Sequence, residues 1–417
     1  MGGPAGGGPV DRQRALAGGF RLRARTHLRR RAADARARER ESHLLRTPLY
    51  NFHVEHKANL VDFAGWEMPL TYYGLIDEHK QVRSSGGLFD VSHMGRVKFA
   101  GRHARRLLER VCSRRISDMQ PGQCRYSLVC NERGGVKDDV IVYRLDDDEF
   151  LVVVNASNRA KLLPHFEAVR SSNDWAVKIE DQTESTAMVA LQGPKVMELI
   201  SKYSGEIPTL KKYRFAVKNL LVIKIIVSRT GYTGEDGVEV ILPAGSVGMA
   251  MKFLLQGADV GSPTAVLRPA GLGARDTLRT EAGMPLYGHE LGEDINALSC
   301  GVDFAISLDK DQGAGGDRFI GMDALVKARD AGGPARKLAG FILDGKRSAR
   351  QGMKIVQGGK DVGTVTSGCP SPTLGVCIAM GFLDVGLSAS GTPVEIDTGK
   401  GVLTAKVAPL PFYKAPK

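Results

Sequence analysis

Two apolar runs flank a glycine-punctuated polar turn near the middle of the chain. The first, Leu220–Val227 (LLVIKIIV), is rich in β-branched residues, and the second, Val238–Leu242 (VEVIL), alternates; both are expected to be strands. The intervening SRTGYTGEDG is then a turn between sheet strands. Its glycines, Gly231, Gly234 and Gly237, recur every third residue, which permits positive φ and lets a flat ligand approach the backbone. In the second strand Glu239 shares a face with Ile241, while Val238, Val240 and Leu242 cover the other. A carboxylate among apolar neighbours on both faces needs a partner from the protein or a ligand. Solvated acids in a hairpin loop are the simpler alternative.

The rest of the chain divides by the same patterns. Leu44–His56 is expected to be a helix opened by Thr47-Pro48, and Val61–Gly74 an apolar loop that either plugs a core or walls a pocket. Glu78–Gly101 follows as a helix, a Gly-Gly stop and a strand. Asp90, Ser92 and His93 lie too close together to serve as nucleophile, base and orienter, so they are expected to stabilise a turn. Cys124–Asn158 predicts a three-stranded meander. Asp138 and Asp139 occupy opposite faces of its middle strand, both otherwise apolar, so at least one carboxylate points into an apolar layer and must be paired or have a raised pKa. Tyr126 on the preceding strand faces one of them, in a register that the pattern leaves open. Ser185–Ile200 predicts a strand, a turn and an amphipathic helix, and further helices are expected over VGMAMKFLLQGA and Pro269–Gly283. Arg275 and Arg279 share a face of the last of these, suiting a carboxylate or phosphate ligand, unless Asp276–Arg279 is a surface pair. Beyond a linker at Ala331–Lys337 the chain becomes short strands broken by glycine turns, which predicts a small β-barrel and a boundary near Pro334.

Composition changes this picture little. The formal charge of +12 is uneven: residues 1–42 hold 11 arginines and four acids, a net of +7, leaving +5 for the rest. The Arg-rich tail lacks an apolar face and is expected to be disordered, serving as an organelle transit peptide, a flexible appendage or an upstream start. The mildly basic body argues against a nucleic-acid binder. No 18-residue apolar run is present, so no membrane association is expected. The six cysteines include no Cys-x-x-Cys pair, which argues against a zinc ribbon or a disulfide framework.

Taken in order, RTPLYNFH, VDFAGWEMPL, GLFDVSHMG, GGVKDDVIVY, VVVNASN, ALQGP, SRTGYTGEDGVEV, GLGARDTLRTEAGMPLYG, TSGCPSPTLG and PFY resemble the aminomethyltransferase (T-protein) family of the glycine cleavage system. The resemblance covers nearly everything after Leu44. It implies an α+β protein with two interlocked α+β domains over residues 43–333 and an all-β barrel over 334–417, around a central hole that holds tetrahydrofolate. It also implies transfer of a methylene carbon from the aminomethylated lipoyl arm of H-protein to tetrahydrofolate, a co-substrate, with release of ammonia and without a metal. The chain is expected to act as a monomer. Carried over, Asp139 is the key carboxylate near the folate nitrogens and Glu239 holds the polar edge of the pterin, with Tyr232 beside it. Arg275 contacts the folate, Tyr126 and Tyr143 line the pocket, and Tyr413 reaches in from the barrel. A bacterial protein of this kind is expected in the cytoplasm, and a mitochondrial one in the matrix if the tail is a transit peptide. One departure stands out: relatives carry an aromatic, often Trp, at Phe304 and an acid near Ser299 or Cys300. Folate-dependent demethylating domains and a non-catalytic folate-binding iron-sulfur assembly factor are the alternatives. A missing flavin domain disfavours the first, and the Asp pair together with RTGYTGED disfavours the second.

Overall fold

The computed structural model describes Gly2 and residues 44–416, apart from positions 221, 256–259, 261 and 314. The expectations for the Arg-rich tail therefore lie outside the described residues. The chain enters through helix α1 (Tyr50–Glu55) and a hairpin of β1 (Asn59–Phe63) and β2 (Trp66–Thr71). That hairpin corrects the expected loop at Val61–Gly74. Its reversal lies at Ala64 and Gly65, with φ of 53° and 81°, a two-residue turn of the kind favoured by strand twist but lacking the usual Asn-Gly signal.

Helix α2 (Leu75–Ser84) leads into β3 (Gly87–Asp90), and a second strand, β4 (Gly95–Ala100), follows where one strand was expected. After α3 (Ala104–Val111) the predicted meander appears as β5 (Cys124–Cys130), β6 (Val136–Arg144) and β7 (Glu149–Val154). Helix α4 (Arg159–Ser172) and β8 (Lys178–Asp181) complete a five-stranded sheet ordered β5-β6-β7-β4-β8. Val97, Val140, Val142 and Val152 on one face of this sheet pack beneath Leu107, Leu108, Leu162 and Phe166 of α3 and α4.

The second sheet uses β9 (Thr186–Gln192), helix α5 (Val196–Ser201), β10 (Phe215–Leu220), β11 (Ile223–Ser228), β12 (Gly237–Pro243), helix α6 (Val247–Leu255) and β13 (Arg268–Pro269). Its order is β10-β11-β12-β9-β3-β13, and β3 and β13 are the parallel pair. The run LLVIKIIV is not one strand: Leu220 pairs with Ile223, so the chain reverses inside it. An apolar run carries no periodicity to mark such a turn. Its opposite end behaves as expected, since β11 and β12 pair across the glycine-rich turn with Ser228 opposite Glu239.

The inner faces of the two sheets meet. Tyr143, Leu151 and Val153 pack with Phe89, Met188, Ala190 and Ile241, and helix α7 (Leu272–Glu281) adds Ala274 and Leu278. After helix α8 (Met322–Asp330) six strands close a barrel in the order β14-β17-β16-β15-β18-β19: β14 (Arg336–Leu343), β15 (Lys354–Gln357), β16 (Lys360–Pro370), β17 (Cys377–Asp384), β18 (Pro393–Asp397) and β19 (Val402–Ala408). Closure leaves no unpaired sheet edge in this part of the chain. All six cysteines are buried free thiols. No helix among the described residues is long and apolar enough to cross a membrane.

Candidate functional site

A cavity of about 1370 Å³ opens between the two facing sheets, bordered by α7 and by the barrel loop that carries Cys369 to Val376. Strand alternation decides which carboxylate enters it. Asp138 shares its face of β6 with Val140 and Val142 and lies in the core, whereas Asp139 is half-buried in the cavity wall. Leu128 is directly opposite Asp139 and Tyr126 opposite Ile141, so Tyr126 and Asp139 are diagonal neighbours on one face. The Tyr126 hydroxyl donates to Asp139 Oδ2 at 3.1 Å. That settles the register left open by the pattern.

Asn155, just past β7, holds both acids. Its Nδ2 donates to Asp138 Oδ1 and Asp139 Oδ1, each at 2.7 Å. Asp138 also accepts from the Asn155 N–H at 3.0 Å and from Asn158 Nδ2 at 2.6 Å. Burial raises both carboxyl pKa values, and the charge of Asp139 adds to the rise at Asp138; the asparagine donors oppose it, as does Tyr126 at Asp139. The two adjacent acids thus titrate above the ordinary carboxylate range, toward the range useful for proton transfer.

The opposite wall carries Glu239, Arg275 and Tyr232. Glu239 is 5% exposed, and its Oε2 accepts from the Thr230 hydroxyl at 2.5 Å. Burial raises its pKa, while Thr230 and the charge of Arg275 pull the other way. The Arg275 guanidinium lies 4.8 Å from the centre of the Tyr232 ring, and its Nη1 is buried with no hydrogen-bond partner among the described residues. Tyr232 is pinned by donating its hydroxyl to the Pro285 carbonyl. A partnerless buried guanidinium nitrogen beside a buried carboxylate is a pair of opposite charges prepared for a polar ligand edge.

Not every expected residue belongs here. Tyr143 is fully buried beyond Ile141, 5.4 Å from the Phe215 ring, and hydrogen-bonds Ser228 Oγ at 3.0 Å; it shares the cavity-side face of β6 but does not line the cavity. Tyr413 also lies outside the lining, with its N–H on the Glu281 carbonyl at 2.8 Å and its ring 3.9 Å from the Arg83 guanidinium. Arg279 spends its donors on Asp276, Glu290 and Ser367, so the shared helical face presents one free guanidinium, not two. Gly234 has the expected positive φ of 81°, but Gly231 and Gly237 are small for another reason. A Cβ at Gly231 would lie 2.0 Å from Gln192 Oε1, and one at Gly237 2.2 Å from the Leu191 carbonyl.

Sequence reasoning missed Asn155, although the polar NASN after an apolar strand was its signal. It also left His93 as a turn residue, yet His93 is in the cavity wall. Asp90 does stabilise a turn, accepting from Thr47 at 2.6 Å, His53 at 2.8 Å and the Ser92 N–H at 2.8 Å. At the departure noted above, Phe304 is 59% exposed at the cavity edge, its ring 5.8 Å from that of Tyr126.

Comparisons with known proteins agree along most of the chain. Residues 49–310 match the GCVT N-terminal domain, and residues 336–414 match the glycine cleavage T-protein C-terminal barrel domain. An aminomethyltransferase of Rubrobacter xylanophilus is 45% identical, covering 89% of this chain and 95% of its own. One from Symbiobacterium thermophilum is 40% identical over 89% of this chain and 98% of its own. The crystal structure of the glycine cleavage system aminomethyltransferase T from Bartonella henselae superimposes with a TM-score of 0.80 at 30% identity, covering 89% of this chain and 99% of that one. Two matched domains, two opposed charged walls in one cavity and relatives aligned nearly end to end lead to one conclusion: the chain belongs to the glycine cleavage aminomethyltransferase (T-protein) family.

Proposed function

We propose that the protein moves the methylene carbon of an aminomethyl group from the lipoyl arm of H-protein to tetrahydrofolate, releasing ammonia. The observation that carries this reading is the division of one cavity into a proton-handling wall, Asp139 with Tyr126, and a ligand-holding wall, Glu239 with Arg275. In the balanced reaction the carbon loses its bonds to sulfur and to the amino nitrogen and gains bonds to two folate nitrogens. The two protons displaced from those nitrogens end on the sulfur and on ammonia. Asp139 is the group placed to take such a proton and to stabilise positive charge developing on the carbon. Tyr126 and Asn155 hold its carboxylate in place. Glu239 and Arg275 would hold the polar edge of the pterin, and the apolar wall around Phe63, Met94 and Met188 would exclude water.

Asp139 in the cavity wall, backed by Asp138 behind it, supports a catalytic reading over a non-catalytic assembly factor. The bacterial origin of the matched relatives favours a cytoplasmic protein over an organelle-targeted one, and we take the working unit to be the monomer.

Glu239→Gln should weaken tetrahydrofolate binding by about 1.5 to 3 kcal/mol, the range for hydrogen bonds to a charged group. A carboxylate accepts two parallel N–H donors of a pterin, whereas an amide offers one acceptor and one misplaced donor. Calorimetric titration reads this directly, and unchanged affinity would remove Glu239 from the binding role.

A further inference from the structure

His93 is 3% exposed in the cavity wall, with the Phe63 ring edge-on at 5.4 Å between centroids. Its neighbour Asp90 would be the natural anchor, but the Asp90 oxygens are occupied by Thr47, His53 and the Ser92 N–H. His93 Nδ1 is buried with no hydrogen-bond partner among the described residues, which leaves Nε2 as the ring nitrogen turned to the cavity. A side chain kept for a turn would bond to that turn. Among the described residues no hydrogen bond ties the ring to that turn, so Nε2 is left to meet a ligand in the cavity.

We infer that His93 is a substrate-positioning residue that donates a hydrogen bond from Nε2–H to an acceptor on the pterin ring of the bound reduced folate. The inference rests on the folate reading above. The tautomer follows from the surroundings: an orphaned buried N–H is rarer than an orphaned acceptor, so the proton belongs on Nε2, where a partner can reach it. The ring is held neutral. Burial lowers its pKa to about 4; the charge of Asp90 opposes this, and those of Arg275 and Arg96 add to it. His93 lines the same cavity as Glu239 and Arg275. A neutral donor there adds orientation without competing with Glu239 for the donor edge of the pterin.

The test uses the full chain and 5-formyltetrahydrofolate, a stable reduced folate, in calorimetric titrations of wild type, His93→Gln, His93→Asn and His93→Leu. Glutamine places an amide N–H close to the position of Nε2, asparagine close to that of Nδ1, and leucine supplies shape alone. Leucine and asparagine should weaken binding about tenfold, as expected for one hydrogen bond, and glutamine should stay within about twofold of wild type. Melting temperatures close to wild type confirm that folding is intact. Wild-type affinity in the leucine variant, rescue by asparagine instead of glutamine, or equal loss in all three would overturn the inference. If the wild-type protein itself fails to bind, the folate reading falls first, and this one with it.

Discussion

Asp139→Asn should lower the rate of methylene transfer by about 100- to 1000-fold, the usual cost of removing one preorganised electrostatic group from a closed site. The fold should survive, because the asparagine can still accept from Tyr126 and lie beside Asn155, and Asp138 keeps its own donors. Folate affinity should change little, since Glu239 and Arg275 are on the opposite wall. The pH profile offers a second readout. Burial raises the Asp139 pKa, so the working carboxylate is lost as pH falls through a range above that of an ordinary aspartate, and the acid limb of activity should lie there. That limb should vanish in the asparagine variant. Asp138→Asn, by contrast, alters a group outside the cavity and should show mainly as lost stability. Retention of more than half the activity in Asp139→Asn would refute the assignment.

The other large effect is expected at a structural junction behind the cavity wall. Glu281, at the end of α7, is fully buried and joins three parts of the molecule. Its Oε2 accepts from Arg83 Nε at 3.1 Å and Nη2 at 2.9 Å, lies 3.2 Å from His79 Nε2, and accepts from the Thr373 hydroxyl at 2.7 Å. Its Oε1 accepts from the Ser371 hydroxyl and from the Thr373 N–H at 3.1 Å. The carboxylate thereby ties α2 and α7 to the barrel loop. Glu281→Leu should destabilise the protein by about 3 kcal/mol or more, because removing one member of a buried charge network strands the others. Arg83 retains Glu235 at 2.8 Å, which keeps the loss toward the lower end of that range.

The same residue sets an acid limit. Burial alone would raise the Glu281 pKa, but hydrogen bonds from His79, Ser371 and Thr373 and the charge of His79 bring it down to about 2. A depressed carboxyl stabilises the folded state above its unfolded pKa of about 4.3, and that contribution drains away as pH falls from there toward about 2. Denaturant titrations from pH 6 to pH 3 should show wild type converging on the leucine variant. A constant gap would show that the depressed pKa is not what stabilises the junction.

What the sequence revealed of all this follows a physical line. Apolar, β-branched runs bounded by polar turns located β5 to β7 and the pairing of β11 with β12, and glycine turns between short strands, alternating exposed and buried in β18 and β19, marked the barrel. These signals failed at Leu220–Ile223 and at Ala64-Gly65, where apolar residues or an uncommon turn pair hide a chain reversal. For the site, Asp139 and Glu239 were legible because a carboxylate in an apolar strand demands explanation. Tyr143 and Tyr413 were not, since depth along a strand and the seating of the barrel tail depend on contacts between distant segments: Ser228 for one, Arg83 for the other. Asn155 and His93 were overlooked for the same reason: NASN marks a polar end to an apolar strand, but which of its side chains meets the Asp pair, and whether His93 faces a turn or a cavity, depends on distant segments.

The most direct test is to supply tetrahydrofolate together with H-protein carrying an aminomethylated lipoyl arm, and to measure methylene-tetrahydrofolate and ammonia. Wild type should form both products in equal amounts, Asp139→Asn almost none, and wild type without the carrier none. Absence of product with the loaded carrier, or equally fast transfer from dimethylglycine or sarcosine in its place, would contradict it.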